Sequence, residues 1–425
     1  MAPSPSLKRS LGLGGAILLG LGSILGTGVF VSLGLAVGVA GQWAIAALAI
    51  AALLATFNAL SSAQLAANHP VSGGTYAYGY RYLSPSFGFI AGTAFLLAKS
   101  ASAAAAAIGL VAYLAQALGF GHLPINLLAA IAVLLITTLV ATGLRRTNIV
   151  NTLLVGLTLT VLVALCLTAL GATTTAPGQP WQRLETSSLF EAAALLFVAF
   201  TGYGRIATLG EEVKAPRKTI PRAILATLIV SASLYALVLI AALQTLGPDA
   251  MAAATHDQAA PLQAVATAIQ SDWLQAILPL AAATAMAGVL LNLVLGLSRV
   301  AFAMGRERDL PAKLGALSRA GEPVIAIWAV GIFIAMLAGF GGLATVWSFS
   351  AFTVLIYYAI TNLAALKLGP EERLYPKAIS IAGLIACLGL AIWISPLVML
   401  TGAAILAAAL GLRTWLKRAE AQGSR

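Results

Sequence analysis

The sequence predicts an all-α polytopic membrane protein of twelve transmembrane helices, and three observations predict it. First, 60% of the 425 residues are hydrophobic and only 9% are charged, with a mean hydropathy of +0.97; soluble domains are not built this way. Second, apolar windows bounded by charge, Pro or Gly divide the chain into twelve spans, roughly 11–39, 42–68, 86–118, 124–142, 148–171, 187–213, 219–246, 271–303, 323–340, 343–368, 376–393 and 396–416, against the roughly 20 helical residues a hydrocarbon core requires. Third, the basic residues are partitioned. With the N-terminus inside, 21 of 24 fall on inner loops, inner helix ends and the C-terminal tail, whereas the outer loops hold Arg183 alone. That bias predicts cytoplasmic termini in a plasma or bacterial inner membrane, with the lipid bilayer as partner. It also explains the net charge of +11 without a nucleic-acid partner.

Taken in order, the first span opens on Leu11–Ala40, thirty residues without a charge. Lys8 and Arg9 ahead of it resemble a signal peptide, but the run is too long and no small-residue cleavage site ends it, so it is expected to stay as a helix. In its middle lies Gly22-Ser23-Ile24-Leu25-Gly26-Thr27-Gly28. Three glycines in seven residues disfavour helix, and in lipid an opened backbone survives only beside protein or a cavity. Such a break exposes amides at one half-helix start and carbonyls at the other half-helix end, a pair suited to a ligand with a carboxylate and an ammonium. Close packing of a neighbouring helix is the other reading of those glycines.

Spans one to five cover about 11–171 and spans six to ten about 187–368. An odd number per half makes the second half enter the membrane from the opposite side, as an inverted repeat does. Residues 369–425 hold the last two spans and the tail, outside the repeat, with dimer contacts as one expected use. The sixth span should then match the first, and it carries Phe200-Thr201-Gly202-Tyr203-Gly204-Arg205, again with Gly-x-Gly at mid-depth. Cys166 and Cys387 fall inside apolar spans, so no extracellular disulfide is expected. No metal-ligand cluster, Ser-His pairing or phosphate loop appears, which excludes a catalytic reading and a bound cofactor or metal.

Four stretches carry a resemblance to the amino acid–polyamine–organocation (APC) transporter superfamily. They are Gly22–Phe30, Pro70–Tyr76, Phe200–Tyr203 running on through Gly210-Glu211-Glu212 to Ile224, and Ser298-Arg299 with Ala303–Arg306 and Leu310-Pro311. The resemblance covers nearly the whole chain. It implies a five-plus-five inverted-repeat (leucine-transporter-like) fold with broken helices 1 and 6, a central site at the breaks, and alternating access for an amino acid.

Within that frame, the backbone from Ser23 through Ile24, Leu25, Gly26 and Thr27 to Gly28 is expected to grip a substrate carboxylate. Carbonyls near Val198 to Thr201 are expected to take the amino group, with Val198, Phe200 and Gly202 lining or capping the pocket. Relatives often hold a bulky aromatic where Val198 stands. Lys99 lies mid-span with no acid near it in sequence, which makes it a proton carrier or a side chain snorkelling to the water layer. Some relatives without sodium coupling use a lysine in helix 5; that register lands on Thr158, which carries no charge. The coupling ion therefore stays open between proton, sodium and none. Arg205 is expected to pair with broken-helix carbonyls or with substrate. Thr284 is a candidate ion ligand or ordinary helix glue. Glu211 and Glu212 are a cytoplasmic gate latch or solvated loop charge. With no acid inside any span, a neutral zwitterionic amino acid fits better than a polyamine; an exchanger, a channel or a receptor subunit are the alternatives.

Overall fold

The computed structural model describes residues 11–69, 73–119, 123–143, 148–172, 183–207, 213–319 and 321–423. These form sixteen α-helices: α1 (Leu13–Ile24), α2 (Leu33–Ala40), α3 (Ala44–Asn68), α4 (Thr75–Tyr82), α5 (Pro85–Ala117), α6 (Ile125–Ala141), α7 (Asn148–Gly171), α8 (Thr186–Phe200), α9 (Gly204–Ala207), α10 (Pro216–Gln258), α11 (Pro261–Ala268), α12 (Asp272–Arg306), α13 (Val324–Phe340), α14 (Leu343–Leu366), α15 (Lys377–Ala391) and α16 (Pro396–Gly423). Eight helical runs are long and apolar enough to cross a membrane, and α1, α6, α13 and α15 are shorter apolar helices. The molecule is an all-α, multi-spanning membrane protein.

α5 is the spine. Ser84 accepts a hydrogen bond from the Phe87 amide with Pro85 at the first helical position, the pairing that starts a helix cleanly. From there it runs 33 residues. Ala101 and Ala103 to Ala107 along its middle have almost no exposed surface. Small side chains let α12 and α14 pack closely against it; a Cβ on Gly109 would meet the Met286 Sδ at 2.8 Å. In lipid such close contact replaces the missing hydrophobic drive between helices. Leu127, Leu135, Leu153, Leu167, Leu397 and Leu400 point outward and are largely exposed, as suits helix faces meeting acyl chains.

The first apolar run changes backbone geometry within its glycine cluster. α1 stops at Ile24, and Leu25 leaves the helical region with ψ 102°. The chain then re-enters through a π-turn over Gly28–Ser32 before α2. The sixth run behaves differently. Its backbone stays in the helical region and tightens to one 3-10 turn over Thr201–Tyr203 between α8 and α9. The reason is local: the Thr201 amide and hydroxyl both donate to the Val198 carbonyl, the hydroxyl at 2.7 Å, so the turn closes on itself. α10 bends at Gly247 (φ 75°, ψ 170°), just before Pro248; it therefore reaches beyond the span expected to stop near 246 and carries His256 in its last turn, where a loop was expected.

A candidate substrate cavity between the two glycine-bearing runs

The interruption at Leu25 leaves main-chain groups with unequal fates. Val29 and Phe30 both donate to the Gly26 carbonyl at 3.1 Å, while the Gly26 and Thr27 amides meet no acceptor among the described residues. The Ile24 carbonyl, freed at the end of α1, accepts from Tyr235 Oη at 2.9 Å, and the same hydroxyl lies 3.3 Å from the Ala199 carbonyl. One phenol on α10 thus bridges the two runs. Gly202 makes the approach possible, since a Cβ there would stand 2.3 Å from the Ser23 carbonyl. Gly28 is held as closely by Tyr235, and Gly26 faces Val289.

Between the runs lies a cavity of about 240 Å³. Ser23, Ile24, Thr27, Gly28, Val198, Thr201 and Gly202 all line it, as do Lys99 and Arg205. The Thr27 hydroxyl is buried and meets no hydrogen-bond partner among the described residues, a cost a bound polar group would remove. Lys99 extends from α5 and donates to Thr201 Oγ1 at 2.6 Å; no carboxylate lies within ion-pair distance of it among the described residues. It meets both the cavity and the sixth run. The expected amine-binding carbonyls are partly committed, Val198 O to Thr201 and Ala199 O to Tyr235.

Other expected site residues lie elsewhere. Leu25 and Gly26 do not border the cavity. Phe200 is fully buried and tilted against Tyr235, ring centroids 5.3 Å apart. Thr158 is buried and returns its hydroxyl to the Leu154 carbonyl; Thr284 does the same to Leu280. In both, the hydroxyl hydrogen is used within its own helix. Glu211 and Glu212 lie outside the described residues.

Sequence reasoning passed over the opposite wall. Asn292 and Leu293 on α12, Trp347, Tyr357 and Tyr358 on α14, and Phe95 and Ser102 on α5 also line the cavity. Asn292 carried a signal: it is the one amide side chain in the apolar stretch 280–297. The α14 aromatics carried none, because aromatics in an apolar helix are usually packing. Trp347 donates to the Leu195 carbonyl at 2.9 Å and Ser350 to the Ala98 carbonyl at 2.8 Å, tying α14 to α8 and α5. Towards the far end of α5, Tyr113 donates to the Phe30 carbonyl at 2.8 Å and accepts from the Leu262 amide at 3.2 Å. These bonds tie α5 to the π-turn after α1 and to α11.

A second charge cluster sits towards the basic end. Asp309, whose side chain has no exposed surface, accepts from Arg413 at 2.7 Å, Lys417 at 3.1 Å, Tyr76 at 3.0 Å and Tyr80. Burial alone would raise its carboxyl, but the hydrogen bonds from Tyr80, Arg413, Lys417 and Tyr76 outweigh that and hold it below the usual carboxylate value. Burial, then the bond to Asp309, pushes the Tyr80 phenol up to about 12, so it remains a donor. Neither Asp309 nor Arg413 was singled out in sequence as a gate element.

The amino acid permease family profile matches residues 15–419. The chain belongs to the amino acid permease family, within the APC superfamily. Three relatives frame this permease. An uncharacterised transporter of Mycobacterium tuberculosis is 39% identical over 97% of this chain and 93% of its own length. The branched-chain amino acid permease BcaP of Bacillus subtilis is 31% identical over 91% and 86%. The chloroplastic cationic amino acid transporter 7 of Arabidopsis thaliana is 28% identical over 84% and 65%. The permease is thus a secondary-active, amino-acid-type transporter in a lipid bilayer, and its family is not catalytic.

Proposed function

We propose that this permease carries a small neutral, zwitterionic amino acid by alternating access, with the cavity between the first and sixth runs as its binding site. One observation carries the reading: the unaccepted amides of Gly26 and Thr27 and the unpartnered Thr27 hydroxyl lie where α1 ends, and Thr27 and Gly28 border the cavity. Main-chain amides at a helix interruption suit a carboxylate. The apolar and aromatic remainder, Val198, Phe95, Leu293 and Trp347 among it, suits an aliphatic side chain. Named substrates of relatives differ, branched-chain for the Bacillus permease and cationic for the plant transporter. The absence of any acid on the described lining favours the former.

In this reading twelve spans form a five-plus-five inverted repeat, 11–171 and 187–368, with both termini cytoplasmic and residues 369–425 outside the repeat. The Tyr113–Phe30–Leu262 contact is the closed outer gate, and access is from the cytoplasmic side. Lys99 is the candidate for proton coupling. Reconstituted protein should take up leucine, isoleucine or valine with saturation and countertransport, and Lys99→Ala should remove the pH dependence of that uptake. Flux without saturation would sink the carrier reading in favour of a channel. Strong competition by polyamines without competition by neutral amino acids would overturn the substrate class.

A further inference from the structure

The cavity's charge is one-sided. Lys99, Arg205 and Arg299 line it, and no Asp or Glu does among the described residues. The three cations are not equivalent. Arg299 is exposed and Arg205 sits at the edge of the 3-10 turn, whereas Lys99 projects from mid-α5. It is fixed there by Thr201, whose own hydrogen is committed to Val198. Its ammonium is therefore held in place by a single neutral hydroxyl, on the wall that would face a substrate's amine or side chain.

We propose that Lys99 is the specificity-determining charge of this site, admitting substrates of net charge zero or below and rejecting those with an uncompensated positive charge. This rests on the transport reading above and deepens it. A zwitterion brings its carboxylate with its ammonium, so the cavity sees a dipole. A lysine-, arginine- or diamine-type substrate adds a second cation beside Lys99 with no acid to offset it. At the effective dielectric of protein sites, one such charge a side chain's length away amounts to roughly 100-fold discrimination. Burial from water sharpens this, because a desolvated charge lacks the solvent that would screen it.

The test reads a ratio. Inhibition constants for lysine, arginine and putrescine are measured against radiolabelled leucine binding to the purified full-length protein, for wild type, Lys99→Arg, Lys99→Gln and Lys99→Glu. Wild type and Lys99→Arg should disfavour the cations by about 100-fold relative to leucine. Lys99→Gln should narrow the gap, and Lys99→Glu should close or reverse it. A gain of cation binding cannot come from misfolding, and Lys99→Gln serves should Lys99→Glu not fold. Cations competing as well as leucine in wild type, or a ratio unmoved in both neutral and acidic variants, would overturn the proposal while leaving the transport reading intact. Wild type binding no amino acid of any charge would overturn both.

Discussion

Lys99 and Asp309 are placed at two points along or beside one helix, and their surroundings are opposites. Phe89 on α5 lies under the Arg413 guanidinium at 5.1 Å, beside Asp309; Lys99 is ten residues further on, about 15 Å at helical rise. Asp309 is enclosed by two cations and two phenols drawn from α4 and α16. Among the described residues Lys99 has one hydroxyl. A buried charge fully met by its neighbours holds parts of a protein together, whereas one met by a single neutral group keeps capacity for something that arrives. On this account the first is a clamp that ties α4 and α16 together and the second is part of a binding site.

The sharpest way to break that contrast is Asp309→Asn. It strands the buried Arg413, and losing one partner of a buried pair costs about 3–5 kcal/mol, read as a lower melting temperature in detergent. The same carboxylate sets a pH dependence. Because its folded value lies below its unfolded one, its contribution is complete above the ordinary carboxylate range and is lost as pH falls through and below it, about pH 4 and lower. Asp309→Asn should flatten that acid limb, and an unchanged limb would remove Asp309 from the clamp.

Gly202→Ala is next. Its Cβ would press on the Ser23 carbonyl, backbone that cannot yield cheaply, so roughly 1–3 kcal/mol of overpacking should separate the two runs and abolish uptake. Normal uptake by this variant would mean the runs need not touch. Tyr235→Phe removes the hydroxyl bridging Ile24 and Ala199 and should cost about 1–2 kcal/mol, with weaker substrate binding. The smallest effect is expected at Lys99→Met: stability within about 1 kcal/mol of wild type, or higher, because an under-partnered charge is removed. A loss as large as that of Asp309→Asn would erase the distinction between the two regions.

How much of this was legible in the sequence follows from the range of the interactions. Helix positions and the stop at Ile24 are local: composition, the Gly22–Gly28 cluster and the Ser84-Pro85 start dictate them. Ser23, Thr27, Val198, Thr201, Gly202 and Lys99 could be named because glycines and a mid-span lysine stand out against an apolar background. The closed form of the sixth run was not legible, since Gly-x-Gly permits either an opened backbone or a tight turn, and the Thr201 hydroxyl decided it. Partners distant in sequence were hidden as well. Tyr235 meets Ile24 across 211 positions and Arg413 meets Asp309 across 104; only packing brings them together. Thr158 and Thr284 each donate a hydroxyl within their own helix, a bond that ordinary helix glue also makes.

The most direct measurement is thiol protection at the end of the first run. Cys166 and Cys387 are both buried, so a Thr27→Cys protein offers one reactive position in the cavity. Its labelling by a small methanethiosulfonate in proteoliposomes should slow severalfold in saturating leucine, while a cysteine at exposed Lys417 should label at the same rate with or without it. Equal labelling of Thr27→Cys in the presence and absence of every transported amino acid would contradict a substrate site between the first and sixth runs.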